Sequence, residues 1–454
     1  MINNLSIIIF LPLLAAYLVW LLPVKVKPLF AAVFSCLTLL AVLFLIPGVV
    51  KSKEVFFMKP VAGWLNLSFV IDGFALFFSV VYSFVLFLAC LFLLRSIKAE
   101  EKEKGLLHWM LLFTGALLGL AFCGNMLLLL FFWELASVCC WMINRKGSEE
   151  KSGNSVDCAF ILNLLGFVFI AAGLVFIYQY YSTFELKFLN GMMLASTPAL
   201  LIFTGITLKI LQLVVYARKF KEPVSSGVIP TAALLNTALL AIVGAYIFGR
   251  LFILTFAPNT LLLKVATVVS IIAMLSAASS AFVEDNTKKI LAYSVICQIG
   301  FIILAFVINS RLSFNMALIY FLSFTLASSG IFTALALGEQ RKDSIYPALA
   351  YLLAAFSMIG IPPFLGFWPK AITELTEIGT GNILIPALSI ACSLFMLFFL
   401  FRLFNKVFLN KGEVKTKETR EPVEVLVPLA FGVISVLLGV FIKIPLNFLA
   451  SILR

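Results

Sequence analysis

The chain has 454 residues, of which 63% are hydrophobic and only 12% charged, against roughly 25% charged in an ordinary soluble domain. Long apolar blocks recur from one end to the other, which excludes a large water-soluble domain and places almost the whole polypeptide in a membrane. The formal net charge of +12 is spread over many short loops instead of one basic stripe, so its natural partner is anionic lipid headgroups and not nucleic acid.

A span needs about 20 mainly apolar residues. On that rule fourteen helical spans are predicted, centred near residues 13, 38, 83, 115, 134, 168, 206, 242, 271, 298, 325, 354, 395 and 437, in an all-α polytopic membrane fold. The first block, LSIIIFLPLLAAYLVWLL, lacks a basic n-region and a small-residue cleavage site, and reads as a retained helix and not as a signal peptide. Asp72, in FVIDGFALFF, stands at the start of the third span as a capping group. His108 opens the fourth beside Leu107 and Trp109, as an interfacial residue. The fifth, LLLLFFWELASVCCW, holds Glu134, with Ser137 and Trp141 on its face at helical spacing. The seventh holds Lys209 in TGITLKILQL, with Gln212 one turn on, and ends in the polar stretch VVYARKFKEPVSSG. The eighth, TAALLNTALL, contains Asn236, an amide able to bond across helices or hold water but not to take up a proton in the useful range. Glu284, Asp285, Lys288 and Lys289 read as a solvated loop between spans nine and ten.

The twelfth span contains GIPPFLGFWPK. Pro362 and Pro363 remove helix hydrogen bonds and Gly360 and Gly366 loosen the backbone, so this span is predicted to break at mid-depth. Lys370 follows the break, with Thr373, Glu374 and Glu377 on the same side of any helix that resumes. Interrupted spans at corresponding positions of two halves point to a transport site. Spans seven and twelve therefore predict two inverted five-helix repeats, spans four to eight against nine to thirteen. The expected organisation is a single membrane domain, 1–454: N-terminal spans in 1–100, a first half-channel in 101–256, a second in 257–410, and a charged loop with the last span in 411–454.

Loops after odd-numbered spans carry 22 Lys/Arg, and the remaining loops and termini carry 10. Positive residues are retained on the cytoplasmic side of a cell membrane, so both termini are predicted to face outward. The eight cysteines show no C-x-x-C pair and there is a single histidine. No metal site, haem or other cofactor is therefore predicted for this chain, and no Gly-rich phosphate loop is visible. Electron chemistry, if coupled to this chain, must lie in partners.

A charge at the bilayer centre costs roughly 2.5–3.5 kcal/mol on insertion scales. That singles out Glu134, Lys209 and Lys370 as candidate ion-translocation or coupling residues, with Gln212, Asn236 and Glu374 as supporting polar groups. A buried Glu and Lys in contact have coupled protonation, the chemistry of a proton relay. The same two residues also suit a static ion pair locking two helices, and Lys370 is near enough to a span end to snorkel to the interface.

Several stretches together resemble the antiporter-like subunits shared by complex I, the Mrp-type sodium/proton antiporters and the archaeal membrane-bound hydrogenase and sulfane reductase complexes. NMLLLLFFWEL is similar to the family's N-x-x-x-x-F-x-x-W-E-L helix, LKILQ to K-x-x-Q, NTKKILAYSVICQIGF to D-x-K-R-L-L-A-Y-S-S-I-S-Q-x-G-Y, and MIGIPPFLGFWPK to G-I-P-P-x-x-G-F-x-x-K. The resemblance implies that Glu134 is the coupling glutamate, Lys209 the lysine of the first half-channel and Lys370 that of the second. It also implies partners: further antiporter-like membrane subunits and peripheral iron–sulfur redox subunits. IYFLSFTLASSGIF looks most like the smallest of complex I's three large antiporter-like subunits. The chain departs from the pattern where the family's His and Lys of span eight become Asn236 and Ile242, where span eleven reads Phe324 and Ser328, and where an Asp becomes Asn286. Two functions follow: a conducting subunit that couples electron transfer in partners to proton or sodium/proton translocation, or a structural subunit with a degenerate proton path. A stand-alone antiporter is the reading the family argues against.

Overall fold

The computed structural model describes residues 2–52, 54–62, 65–96, 105–147, 153–218, 228–308, 310–340, 345–409 and 422–453. They form helices α1 (Ile2–Leu21), α2 (Lys27–Leu43), α3 (Ile46–Ser52), α4 (Gly73–Ser96), α5 (Leu106–Phe122), α6 (Met126–Gly147), α7 (Gly153–Tyr181), α8 (Leu186–Leu189), α9 (Ser196–Arg218) and α10 (Val228–Phe248). The second half of the chain adds α11 (Thr260–Val283), α12 (Thr287–Val307), α13 (Arg311–Gln340), α14 (Ile345–Ile359), α15 (Phe367–Gly379), α16 (Leu384–Phe404), α17 (Pro422–Val440) and α18 (Lys443–Ile452). Each of the fourteen expected centres falls inside one of these helices. Among the described residues, ten helices are long and apolar enough to cross a membrane, or eleven counting the pair Val425–Val440 and Lys443–Ile452, bent by 82°. Three more, Ile8–Leu21, Leu106–Phe122 and Ile345–Ile359, are apolar but shorter.

One element differs from the all-helical expectation. Glu54–Ala62 (β1) and Leu65–Asp72 (β2) pair as an antiparallel hairpin, with Glu54 opposite Asp72 and Phe57 opposite Phe69. Strand β2 continues into a further bridge between Phe69 and Cys123. A backbone that leaves helix must pair its N–H and C=O groups somewhere, and pairing strand to strand does so.

The chain divides into two compact units. The first comprises Met1–Gln212, Tyr246–Leu262 and Asn447–Arg454. Its centre is α5, buried along almost its whole length, whereas Asp157–Tyr181 of α7 keeps most of its residues outside the core and carries the exposed apolar residues Ile161, Leu165, Val168 and Val175. A helix that turns such a face outward is built for hydrocarbon, not water. After α10 the helix widens into a π-helical segment, Gly249–Thr255.

The second unit comprises Leu213–Ala245 and Leu263–Leu446. Thr287–Val307 and Arg311–Gly338 are buried along most of their length, and Thr260–Val283 and Leu384–Leu409 flank them with most of their residues outside the core. Helix α12 starts at Asn286, whose side chain accepts from Lys288 N–H at 3.0 Å and Lys289 N–H at 3.3 Å. Asn286 thus fills the N-cap position, a role that Asn and Asp serve about equally well. The expected break is present in this unit. Helix α14 ends at Ile359, the chain turns, and α15 begins at Phe367. The turn is fixed by close approach: a Cβ on Gly366 would lie 1.9 Å from Ser357 O, and one on Gly439 2.2 Å from Pro363 O. Ser357 Oγ is in turn bonded by Ser323 (3.1 Å) and Ser435 (2.6 Å), which ties α13, α14 and α17 at the break. At the end of the seventh span α9 runs to Arg218, and the rest of the expected polar interruption, 219–227, like the charged stretch 410–421, lies outside the described residues.

Candidate ion-translocation site

In the first unit α6 begins at Asn125, whose side-chain oxygen accepts from Leu127 N–H at 2.8 Å. The apolar run that follows packs as one helix and carries Glu134 inward, next to Trp133, itself 1% exposed. Helices α7 and α9 then come together backbone to backbone. A Cβ on Gly166 would lie 2.8 Å from Gly205 O, and one on Gly205 2.6 Å from Gly166 O. That contact brings Asn163 and Lys209, each one turn from its glycine, to the same point as Glu134.

There Lys209 Nζ donates to Glu134 Oε1 and to Asn163 Oδ1 at 2.9 Å, and Asn163 Nδ2 donates to Glu134 Oε2 at 3.0 Å. Ser137 Oγ lies 3.2 Å from Asn163 Oδ1, and the ammonium sits 4.7 Å from the centre of the Trp133 ring. The lysine side chain is 1% exposed and the glutamate 20%. Buried charges require this arrangement: each carboxylate oxygen has a donor, and the ammonium has two oxygens and an aromatic face. Trp141, the other residue on the Glu134 face, donates from Nε1 to Asp157 at 3.1 Å and stacks on Phe160.

The second unit buries Lys370, 6% exposed. The helix break leaves carbonyls of α14 without helical partners, and Lys370 Nζ takes two of them, Ile359 O at 2.8 Å and Met358 O at 3.3 Å, together with Ser393 Oγ at 3.1 Å. It lies 4.4 Å from the centre of the Phe301 ring. Gly360, with φ of +90°, has its missing Cβ 2.8 Å from Lys370 Cδ, so a glycine is required both by backbone and by space. Lys370 is therefore held inside and does not snorkel. Glu374, one turn on, accepts from Ser389 Oγ at 2.5 Å, and Glu377 from Asn382 Nδ2 at 2.9 Å. Tyr320 bonds Gln298, whose amide donates to Met358 O at 2.7 Å.

A sequence family described as NADH:quinone oxidoreductase/Mrp antiporter, transmembrane, matches residues 123–396, more than half of the chain and the stretch that holds Glu134, Asn163, Lys209 and Lys370. The chain belongs to this family. It is 26% identical over 328 residues to NADH-quinone oxidoreductase subunit L of Pseudomonas aeruginosa, a match covering 67% of this chain and 53% of that protein. The chain spans 39–53% of the length of this relative and two like it. Among solved structures, a chain of the Mrp complex from Dietzia sp. has the same fold, with a TM-score of 0.87 at 19% identity over 99% of this chain and 97% of that one. A chain of the archaeal membrane-bound sulfane sulfur reductase aligns with a TM-score of 0.80 at 19% identity, covering 98% and 96%. This is a multi-pass membrane protein of the antiporter-like kind.

Of the sequence candidates, the structure brings Glu134 and Lys209 together in one unit, and Lys370 and Glu374 to one cavity wall in the other. Gln212 is buried, but its Nε2 has no hydrogen-bond partner among the described residues. Asn236 and Ile242 are both fully buried in α10, and Ile242 there is an aliphatic contact that cannot carry a proton.

Sequence reasoning missed three polar groups. Asn163 completes the Glu134–Lys209 site. Arg250, counted above among loop charges, is 5% exposed in the π-helical segment and pairs with Asp72. Asp72 also caps α4, accepting from Ala75 N–H at 2.8 Å. Glu185, 2% exposed, accepts from Ser68 Oγ at 2.5 Å and Asn125 Nδ2 at 2.7 Å. The Glu284 loop is structured too: Lys289 pairs with Glu284 at 3.1 Å, and Asn286 N–H donates to it at 3.2 Å. Burial alone would raise the Glu284 carboxyl, but these bonds outweigh it and hold the group below the usual carboxylate range. His108 bonds Ala16 O through Nδ1 at 2.7 Å.

Proposed function

We propose that this chain is an ion-translocating membrane subunit of a multi-subunit redox complex, in which electron transfer in partner subunits drives proton or sodium/proton movement through residues of this one. The observation that supports it most is the Glu134–Asn163–Lys209 cluster. A charged pair inside an apolar bundle costs stability unless every lone pair and proton is satisfied, and here an amide from a third helix does that. Any event that weakens the Glu134 contact makes the Lys209 proton easier to release, which is the elementary step of a coupled relay. Lys370 and Glu374 provide the corresponding titratable groups of the second half. On this reading 101–256 and 257–410 are inverted half-channels of one membrane domain. The partners are further antiporter-like subunits, peripheral iron–sulfur proteins and membrane lipid, in a cell membrane with both termini outward.

The buried Ile242 favours a second reading, in which the first half-channel transmits an electrostatic signal but does not conduct. One experiment separates the two. Glu134→Gln, Lys209→Met and Lys370→Met are introduced singly into the assembled complex, and ion translocation and redox turnover are measured independently. A conducting subunit loses translocation per electron in at least one variant. Unchanged translocation in all three sinks the conducting reading and leaves the structural one.

A further inference from the structure

Between α13, α15 and α16 lies a cavity of about 10 Å³ lined by Tyr320, Lys370, Thr373, Glu374 and Ser389, room for roughly one water. Thr373 borders it, is 8% exposed, and its hydroxyl has no hydrogen-bond partner among the described residues. A buried hydroxyl left unbonded is costly unless something not of the protein completes it. A water here has two polar partners, the Thr373 hydroxyl and the Glu374 carboxylate, and gains a third when one N–H of the Lys370 ammonium is released from its present acceptor.

The two charged ends are held by one helix. Ser393 takes Lys370 Nζ, and Ser389, one turn earlier on α16, donates to Glu374. All three ammonium protons of Lys370 are engaged, by Met358 O, Ile359 O and Ser393 Oγ, so the carboxylate is reached only when one of them is released. The same partners suit the neutral amine. It keeps two N–H bonds to the carbonyls, and the Ser393 hydroxyl, able to donate or accept, turns to donate to the nitrogen lone pair.

We infer that Glu374 is the proton-exchange partner of Lys370 and that the cavity between them holds the single water through which the proton passes. This rests on the reading of Lys370 as part of an ion path, and deepens it. In the step, an N–H bond of the Lys370 ammonium breaks and its proton goes to the water, while one water O–H breaks and a bond forms to a Glu374 carboxylate oxygen. The products are a neutral amine, a neutral carboxylic acid and a water, with no other reactant. The remaining titratable groups around Lys370 are Glu377 on its own helix, Tyr320 of α13, Cys297 of α12 and Cys392 of α16.

The test is infrared difference spectroscopy of the full chain in lipid bilayers, as a pH titration. The wild type is expected to show a protonated-carboxyl C=O band that is lost in Glu374→Gln and retained at a displaced frequency in Glu374→Asp. In Lys370→Gln its midpoint moves by about one pH unit or more, as expected for a carboxyl deprived of a nearby opposite charge. A water O–H band, recognised by its shift in ¹⁸O-labelled water, is lost in Thr373→Val, which keeps the shape and removes the hydroxyl. A carboxyl band unaltered in Glu374→Gln, a midpoint indifferent to Lys370→Gln, or a water band that survives Thr373→Val overturns the inference. A spectrum that changes when sodium is replaced by choline at constant pH assigns the cavity to an alkali cation and overturns it equally. None of these readouts needs translocation. Translocation unchanged in all three variants of the assembled complex, with the carboxyl midpoint still moved by Lys370→Gln, refutes the proposed function and leaves this exchange standing.

Discussion

Replacing Glu134 by Gln tests how much of the first site is charge and how much is hydrogen bonding. Gln is nearly isosteric, and its amide oxygen can still accept from Lys209, so what disappears is the counter-charge to an ammonium 1% exposed. Removing one partner of a buried pair costs about 3–5 kcal/mol. An independent ceiling comes from letting the lysine neutralise: from an ordinary value of about 10.4 down to an assay pH of 7.5 is about three units, or about 4 kcal/mol at 1.36 kcal/mol each. The two estimates agree. The ceiling falls by about 1.4 kcal/mol for each pH unit added, so the loss shrinks to about 2 kcal/mol at pH 9. Glu134→Gln combined with Lys209→Met removes both charges and is expected to recover most of the loss. The assay is equilibrium unfolding in mixed micelles for wild type, both single variants and the double, at pH 7.5 and 9. If Glu134→Gln is as stable as wild type at pH 7.5, or the double variant is no better than the single, the pair is not a buried charge pair in the sense argued.

The Asp72–Arg250 pair is expected to be asymmetric. Asp72→Asn leaves a guanidinium that cannot deprotonate inside the bundle, and costs more in unfolding experiments than Arg250→Met, which leaves a carboxylate 29% exposed. Equal losses contradict this. Gly360→Ala is expected to destabilise by about 1–3 kcal/mol, since a non-glycine residue is strained at φ of +90° and the added methyl displaces Lys370. A thermal shift no larger than that of Gly379→Ala, where a Cβ meets nothing, argues otherwise. The Glu284–Lys289–Asn286 clasp depends on acid. A carboxyl held below its usual range contributes stability that is complete above the ordinary value of about 4.3 and is lost as pH falls through the lower folded value. Amide exchange at Lys288 and Lys289, relative to the middle of α12, is expected to quicken below about pH 4 and not between pH 5 and 8.

Apolar length alone located the helices, because hydrocarbon tolerates no other unpaired backbone and leaves a strong compositional trace. The break before Lys370 was equally legible, since two prolines between glycines leave few alternatives. Glu134 and Lys209 announced themselves by the cost of placing a charge in such runs. Asn163 did not, because a neutral amide in ILNLLGF carries no such penalty and acquires its role only from two helices elsewhere in the chain. Arg250 was hidden by its position at the end of an apolar block, where a basic residue normally marks a loop. Its partner, Asp72, lies 178 residues away. The hairpin had a signal, the alternation of Leu65, Leu67 and Phe69 with Asn66 and Ser68, but it is short and in a chain so apolar the pattern is submerged.

The glycine contact between α7 and α9 has a consequence for how the first site can be operated. With Gly166 and Gly205 in backbone contact, Asn163 and Lys209 have no slack between them, so the acid on α6 is the member free to move. Under the proposed function the site would then work as a strain gauge on α6. At an effective dielectric of about 20, widening the Glu134–Lys209 separation from about 3 to about 5 Å removes about 2 kcal/mol of attraction, close to thirty-fold in the ease of releasing the lysine proton. A displacement smaller than half the pitch of a helix is thus enough to be read as chemistry.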